Sequence, residues 1–385
     1  LMRTRFTNCR VVDARGERRC DVFIENGAIS ADVQSPADVT YDLAGRVLMS
    51  AFTDTHCHLR DPGYPDKETM ETGMRAAVRG GYATLCAMAN TMPVCDTAER
   101  VAANLRRAEE LGLCRLVQAG AAGVGLSDEI PADRRAISGV TRVVSNDGKT
   151  ILNDEFMRGL LCDSKRYGFI VSTHCQPERA TVRRDLGLLA QTGGALHVGH
   201  ISRAETAAMI REAKAAGLPV TCEVMPHHIF AWDDDYRVNP PIRTHEDVEA
   251  LIEAVLDGTV DCLATDHAPH TEADKRAGAA GISNIEHAAA IFHTVLCLGH
   301  GMSLPALSLL MSANPARLLG TGTGLVEPGE RADLVVFDPQ EEWTIRKEDM
   351  ISRSHNTPFE GRRVKGRVKM TFVKGELLYD DGRAI

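Results

Sequence analysis

The 385-residue chain has no C-x-x-C pair among its eleven cysteines, no apolar run long enough to cross a bilayer and no excess of positive charge. Scattered thiols in a chain of this length exclude a small disulfide-stapled scaffold, and they read as reduced small hydrophobes. The longest apolar stretch, "AAAIFHTVLCL", carries a histidine and falls well short of the ~20 residues that span a membrane. The start, "LMRTRFTNCR", has no apolar signal region, so a cytoplasmic setting without membrane contact is expected. A formal net charge of −9 argues against a nucleic-acid partner, which requires a basic face. The one basic cluster, "GRRVKGRVKMTFV", alternates Arg363, Lys365, Arg367 and Lys369 with Val364, Val368, Met370 and Phe372, as the solvated face of a strand would. There is no low-complexity segment.

What is present is ordinary globular composition, 44% hydrophobic and 25% charged, enough for a substantial core. Residues 1–46 read as short strands, "RFTNCRVVDARG" and "CDVFIENGAIS", with Arg-Gly and Asn-Gly turns. An alternation then begins. Eight apolar strand candidates follow: "RVLMSAFTDTHCHL", "ATLCAMANT", "CRLVQAGAA", "TRVVSNDG", "FIVSTHC", "ALHVGH", "PVTCEVMP" and "DCLATDH". Helix-period stretches such as "KETMETGMRAAVRGG" and "THEDVEALIEAVLDG" separate many of them, several ending in glycine. This pattern predicts an α/β chain with a (β/α)8 TIM barrel over residues 47–325; a doubly wound open sheet is the alternative. Residues 326–385 return to strand and turn, so both chain ends are expected to pair into one small β-domain.

The chemistry-bearing residues fall where such a barrel presents its working face. In "DTHCHLRDPG", residues 54–63, alternate positions hold Asp54, His56, His58 and Arg60, and alternate residues of a strand face the same way. Two imidazoles at that spacing can share one metal ion, although fourteen histidines place some pairs so by chance. Asp147, His174, His200 and Asp266 strengthen the case, because each ends a predicted strand at the edge where barrel enzymes carry their chemistry. Six nitrogen and carboxylate ligands would hold one or two divalent cations there, and Zn2+ suits the mixture. Asp147 or a shared hydroxide would bridge a pair. Isolated histidines capping strand ends are the competing reading.

Beyond these six residues the chain resembles the bacterial class I dihydroorotases of the amidohydrolase superfamily, almost from end to end. The likeness rests on "DTHCHLRDPG", "KETMETGMRAAVRGGYAT", "AMANTMPV", "NDGK", "STHC", "HVGHIS", "YRVNPPIR", "ATDHAPHT" and "RSHNTPFEGRRVKGRV". It implies His56, His58, Asp147, His174, His200 and Asp266 as metal ligands, one or two zinc ions per chain, and Asp266 as catalytic acid/base. It also implies that Arg60, Asn90 and His270 hold a substrate carboxylate and that Asn239 contacts a pyrimidine ring. The implied reaction is the reversible cyclisation of N-carbamoyl-L-aspartate to L-dihydroorotate, with loss of water, in pyrimidine biosynthesis. The implied assembly is a homodimer or a complex with aspartate carbamoyltransferase.

Some features depart from that pattern. The His174–His200 interval and the loop before Asn239 are short, "HCQPE" replaces H-C-E-D, and Asn146 stands where many relatives have a second aspartate. None removes a ligand. Hydantoinase or allantoinase activity is the alternative reading. Hydantoinases usually bridge two metals through a carboxylated lysine on strand four, where this chain has Asp147, with Lys149 just past the turn. Their substrates lack the carboxylate that would employ Arg60. A catalytically dead subunit is a third reading, and retention of all six ligands argues against it. Cys57, Cys175, Cys222 and Cys262 read as core residues. His197 and His267 are expected to point away from the site, and His227 and His228 to support it from strand seven. His287, His293 and His300 fall on a helical stretch.

Overall fold

The computed structural model describes residues 2–382. Eight parallel strands follow in chain order: β1 (Phe52–Cys57), β2 (Tyr82–Ala87), β3 (Arg115–Gln118), β4 (Val143–Ser145), β5 (Ile170–Thr173), β6 (Leu196–Val198), β7 (Val220–Val224) and β8 (Cys262–Leu263). β1 to β3 pair as one run and β4 to β8 as another. Parallel bridges from Gly120 to Val144 and from Cys57 to His267 join the two runs into a ring. The predicted barrel is present; the open-sheet alternative is not.

Helices wrap the ring, and their starts follow from local chemistry. Thr69, Thr97, Asn153 and Thr244 each accept a hydrogen bond from the backbone N–H three residues on, opening helices Met70–Arg79, Ala98–Leu111, Asp154–Tyr167 and His245–Leu256. Gly112 ends the second of these at φ 66°, a conformation that costs a residue with a Cβ. The inward faces merge into one core with the strands, in which Met74, Leu85, Val144, Leu160, Val171 and Leu189 are fully buried. Each such side chain contributes about 2 kcal/mol by leaving water. No helix among the described residues is long and apolar enough to cross a membrane.

The run predicted as a single strand from Arg46 to Leu59 is two strands. Val47–Ser50 pairs antiparallel with Leu334–Thr344 and parallel with Arg10–Asp13, and only then does β1 enter the ring. Alternation could not reveal the break, because every residue from Val47 to Cys57 is buried. The resulting six-stranded sheet runs Glu376–Asp380, Arg363–Val373, Leu334–Thr344, Val47–Ser50, Arg10–Asp13, Gly16–Arg19. A four-stranded sheet of residues 4–42 packs with it around Phe6, Leu48, Val336 and Phe372, where the Phe6 and Phe372 rings meet edge to face at 5.0 Å. Both chain ends therefore share one β-domain. On Arg363–Val373 the valines turn inward as expected, but the outer charges are not merely solvated: Asp381 accepts from both Arg367 and Lys369, and Glu341 from Lys369.

Closing the ring takes more than strand pairing, because β8 is only two residues long. Asp54, fully buried in β1, accepts from the backbone N–H of Thr265 at 2.9 Å and from its hydroxyl at 2.5 Å, just past β8. It serves as the latch between the last strand and the first. Asp54→Ala removes the acceptor for three buried donors, the His56 N–H among them, and is expected to destabilise the fold by about 3 kcal/mol. An unchanged midpoint in a urea titration would refute the latch.

Candidate active site

All six predicted ligands converge at the C-terminal end of the ring, and all are buried. His56 lies in β1 and His58 just beyond it; Asp147 lies two residues past β4, His174 directly after β5, His200 two residues past β6 and Asp266 three past β8. Asp147 stands at the centre. Its Oδ1 is 3.3 Å from His56 Nε2, 3.4 Å from His200 Nε2 and 3.5 Å from His174 Nδ1, and its Oδ2 is 3.3 Å from His58 Nε2. Two compact triads result, His56–His58–Asp147 and Asp147–His174–His200, with Asp147 common to both. Asp266 adjoins the first, its Oδ1 3.2 Å from His58 Nε2. Arg60, His200 and Asp266 have left-handed backbones, with φ of 59°, 33° and 45°. Such conformations cost of order 1 kcal/mol each and concentrate at functional sites.

The donor inventory shows what these atoms require. His58 Nδ1 lies 2.9 Å from Asn90 Oδ1, and His56 Nδ1 lies 2.7 Å from Glu223 Oε1. Both partners are acceptors, so a ring proton sits on each Nδ1, and in its neutral form each ring turns an Nε2 lone pair to the centre. The buried Nε2 of His56 has no hydrogen-bond partner. The Nε2 atoms of His56 and His58 and the carboxylate oxygens of Asp147 and Asp266 thus crowd together, an arrangement that a divalent cation satisfies. The titration behaviour shows the same demand for positive charge, since it favours an added proton on His56, one that would compete with a cation for Nε2. Burial would raise the Asp147 carboxyl and lower His56, yet the neighbouring imidazoles hold Asp147 well below the usual carboxylate range, and Asp147 and Glu223 hold His56 well above its ordinary value. Nitrogen and carboxylate donors at these positions fit the expected metal.

Glu223 is the residue that sequence reading missed. It lies in β7, wholly buried, and besides His56 it meets the hydroxyl of Thr55 and His197 Nε2 at 3.1 Å. His197 therefore does not turn away from the site; its ring lies against the carboxylate that stands behind His56. The signal was available as a lone acid inside the apolar run "PVTCEVMP". His227 and His228 lie beyond β7, in the one-turn helix His227–Phe230, where His228 Nε2 meets the carbonyl of Pro240 at 3.0 Å. His267 points away from Asp266, toward Glu68 at 3.4 Å. Cys57, Cys175, Cys222 and Cys262 are buried free thiols, as read. Lys149 is exposed, and Asn146 is fully engaged: Oδ1 accepts from Ala122 and Gly123, and Nδ2 donates to Leu126 and Ser127. An aspartate has no hydrogens for the last two bonds.

Above the cluster lies a cavity of about 210 Å³ whose walls include Arg60, Asn90, Asn239 and His270. The amide of Asn239 is 3.1 Å from His174 Nε2. Arg60 donates through Nε to the Pro269 carbonyl at 3.1 Å and through Nη2 to His270 Nε2 at 3.1 Å. Burial, then Arg60 and Lys67, push His270 down to about 3, so it is neutral at physiological pH. Glu223→Gln keeps the shape but weakens the brace on His56. Metal affinity is expected to fall 10- to 100-fold, as for other carboxylates behind a ligating histidine, and chelator competition would show it; equal affinity removes Glu223 from the centre.

Comparison with known proteins agrees with this geometry. Residues 47–378 match the model of the amidohydrolase family. A dihydroorotase of Thermoanaerobacter sp. (strain X514) is 34% identical, covering 99% of this chain and 98% of the relative. One from Clostridium botulinum (strain Eklund 17B / Type B) is 36% identical over 97% and 98%. Among solved structures, L-hydantoinase (dihydropyrimidinase) from Arthrobacter aurescens superposes with a TM-score of 0.92 at 22% identity, covering 100% of this chain and 98% of that one. D-hydantoinase (dihydropyrimidinase) from Thermus sp. gives 0.89 at 23% identity, over 99% and 96%. At this identity and coverage, on a barrel of the same shape, the chain belongs to the amidohydrolase family.

Proposed function

We propose that this chain is a dihydroorotase, interconverting N-carbamoyl-L-aspartate and L-dihydroorotate, and that His56, His58, Asp147, His174, His200 and Asp266 would hold one or two zinc ions. One observation carries the reading: the Arg60 guanidinium and the His/Asp cluster line the same small cavity. A cyclic amide bearing a carboxylate engages both. A hydantoin engages only the cluster, and the exposed Lys149 gives no support to a carboxylated-lysine bridge. The names of the relatives support the same assignment; the hydantoinases, at 22–23% identity, speak to fold alone.

When bound, the zinc ions supply a Lewis acid for the amide carbonyl and lower the pKa of water towards ~7. The protein supplies the rest. Burial would neutralise Asp266, but His58, His56 and His200 keep it ionised and able to act as a base. In the hydrolytic direction Asp266 accepts a proton from the attacking water and passes it to the departing ring nitrogen; cyclisation reverses the order. Arg60 grips the substrate carboxylate with parallel N–H donors, which sets orientation as well as charge. His270, neutral and accepting from Arg60, aims that guanidinium. Asn90 spends its carbonyl on His58, which leaves its amide nitrogen as a donor. The free thiols support a reducing, cytoplasmic setting, and the homodimer or carbamoyltransferase complex remains the expected assembly, readable by size-exclusion chromatography.

The deciding assay is turnover of L-dihydroorotate by the purified chain, with hydantoin alongside and zinc measured on the same sample. One or two zinc ions per chain are expected. Asp266→Asn should lower kcat by about 10³ while metal stays bound. Arg60→Ala should raise KM for dihydroorotate by roughly 100-fold through loss of a charge-assisted pair. Hydantoin turnover alone, or full activity in Asp266→Asn, would sink the proposal.

A further inference from the structure

The "RSHNTPF" stretch takes no part in the chemistry above, yet it reaches the cavity wall. Asn356 is buried, and three hydrogen bonds of its side chain go to one segment far earlier in the chain. Its Oδ1 accepts from the His270 backbone N–H at 2.9 Å and from the Ser283 hydroxyl at 2.8 Å, and its Nδ2 donates to the Gly281 carbonyl at 3.1 Å. The Asn356 carbonyl in turn accepts from Ser283 N–H at 2.8 Å. His270 and Gly281 both line the cavity. Gly281 has φ 151°, and a Cβ there would lie 2.7 Å from His270 Cδ2, so the glycine backs directly onto the imidazole. Arg60 meets the same ring through Nε2.

We propose that Asn356 is a positioning residue for the anion-binding half of the site: it fixes His270, and through His270 the Arg60 guanidinium, without touching substrate. The task needs two acceptor lone pairs and a donor on one short planar group, which asparagine provides. Aspartate would present an acceptor to the Gly281 carbonyl, and alanine would leave the His270 N–H and the Gly281 carbonyl unmet in a buried place. The strap carrying Asn356 is itself tied down. The Ser354 hydroxyl donates to the Lys67 carbonyl at 2.6 Å, and the Ser352 hydroxyl and Arg353 N–H donate to Glu68, the carboxylate that also faces His267 beside Asp266. The substrate half of this inference rests on the dihydroorotase reading; the mechanical half does not.

The test uses the full-length, zinc-loaded chain and the variants Asn356→Ala, His270→Ala and their combination. Asn356→Ala is expected to raise KM for L-dihydroorotate about tenfold, with kcat changed by less than about threefold. In the His270→Ala background it should add nothing, because the group it positions is gone. An unchanged KM, or effects that multiply in the double variant, would overturn the proposal. Hydrogen–deuterium exchange gives a readout independent of turnover. The peptide spanning 268–283 should exchange about tenfold faster in Asn356→Ala, with the rest of the barrel unaltered, and unchanged exchange there also overturns it. If the wild-type chain fails to turn over dihydroorotate, the functional reading falls while exchange still decides the role of Asn356. Should Asn356→Ala not fold, Asn356→Asp keeps both acceptor contacts and is expected to keep the His270 amide slow; fast exchange at His270 in that variant counts against the proposal.

Discussion

Lone pairs and carboxylate oxygens cannot crowd into a dry pocket unless positive charge lies between them, and that constraint organises this molecule. Four imidazoles face Asp147, with Asp266 alongside, at the open end of the barrel. Holding them there demands fixed ring orientations, hence Glu223 behind His56 and Asn90 behind His58. It demands a closed ring, hence the Asp54 latch across the shortest strand. It also demands that the strands stop sharply, hence the left-handed backbones at His200 and Asp266. The structural polar groups and the chemical ones form a single network that starts at the His/Asp cluster.

The site separates two tasks by chemistry. The cluster end is rich in acceptors and suited to a cation; the opposite wall carries Arg60, with Lys67 behind His270, and is suited to an anion. His270 sits between these cations and stays neutral, which keeps its Nε2 an acceptor for Arg60 at any working pH. Under the proposed function, selectivity among cyclic amides would depend less on the cluster, which an amide of any such ring would meet, than on whether the substrate brings a carboxylate to the far wall.

Much of this was legible in the sequence, for identifiable reasons. Barrel strands alternate with helices at a length that periodicity detects, and strand-end position singled out six His and Asp residues, up to 210 apart in the chain, that the fold gathers at one end of the ring. What stayed hidden depends on contacts between strands. The break between Val47–Ser50 and β1 was invisible because both pieces are wholly buried. His197 was misjudged and Glu223 overlooked because their value lies in meeting each other beneath His56, which no spacing along one strand encodes. Asn356 likewise sits in a motif whose partners are distant in sequence.

The strand Val47–Ser50 lies between Arg10–Asp13 and Leu334–Thr344, so its two neighbours come from opposite ends of the gene. During synthesis the first of these strands leaves the ribosome hundreds of residues before the second. Until Leu334–Thr344 arrives, the nascent chain carries an apolar strand with one open edge beside a barrel that has already begun to form. The strap that seats His270 emerges later still. The wall proposed to meet the substrate carboxylate is therefore among the last features the chain acquires, and a truncated product would carry the His/Asp cluster without it.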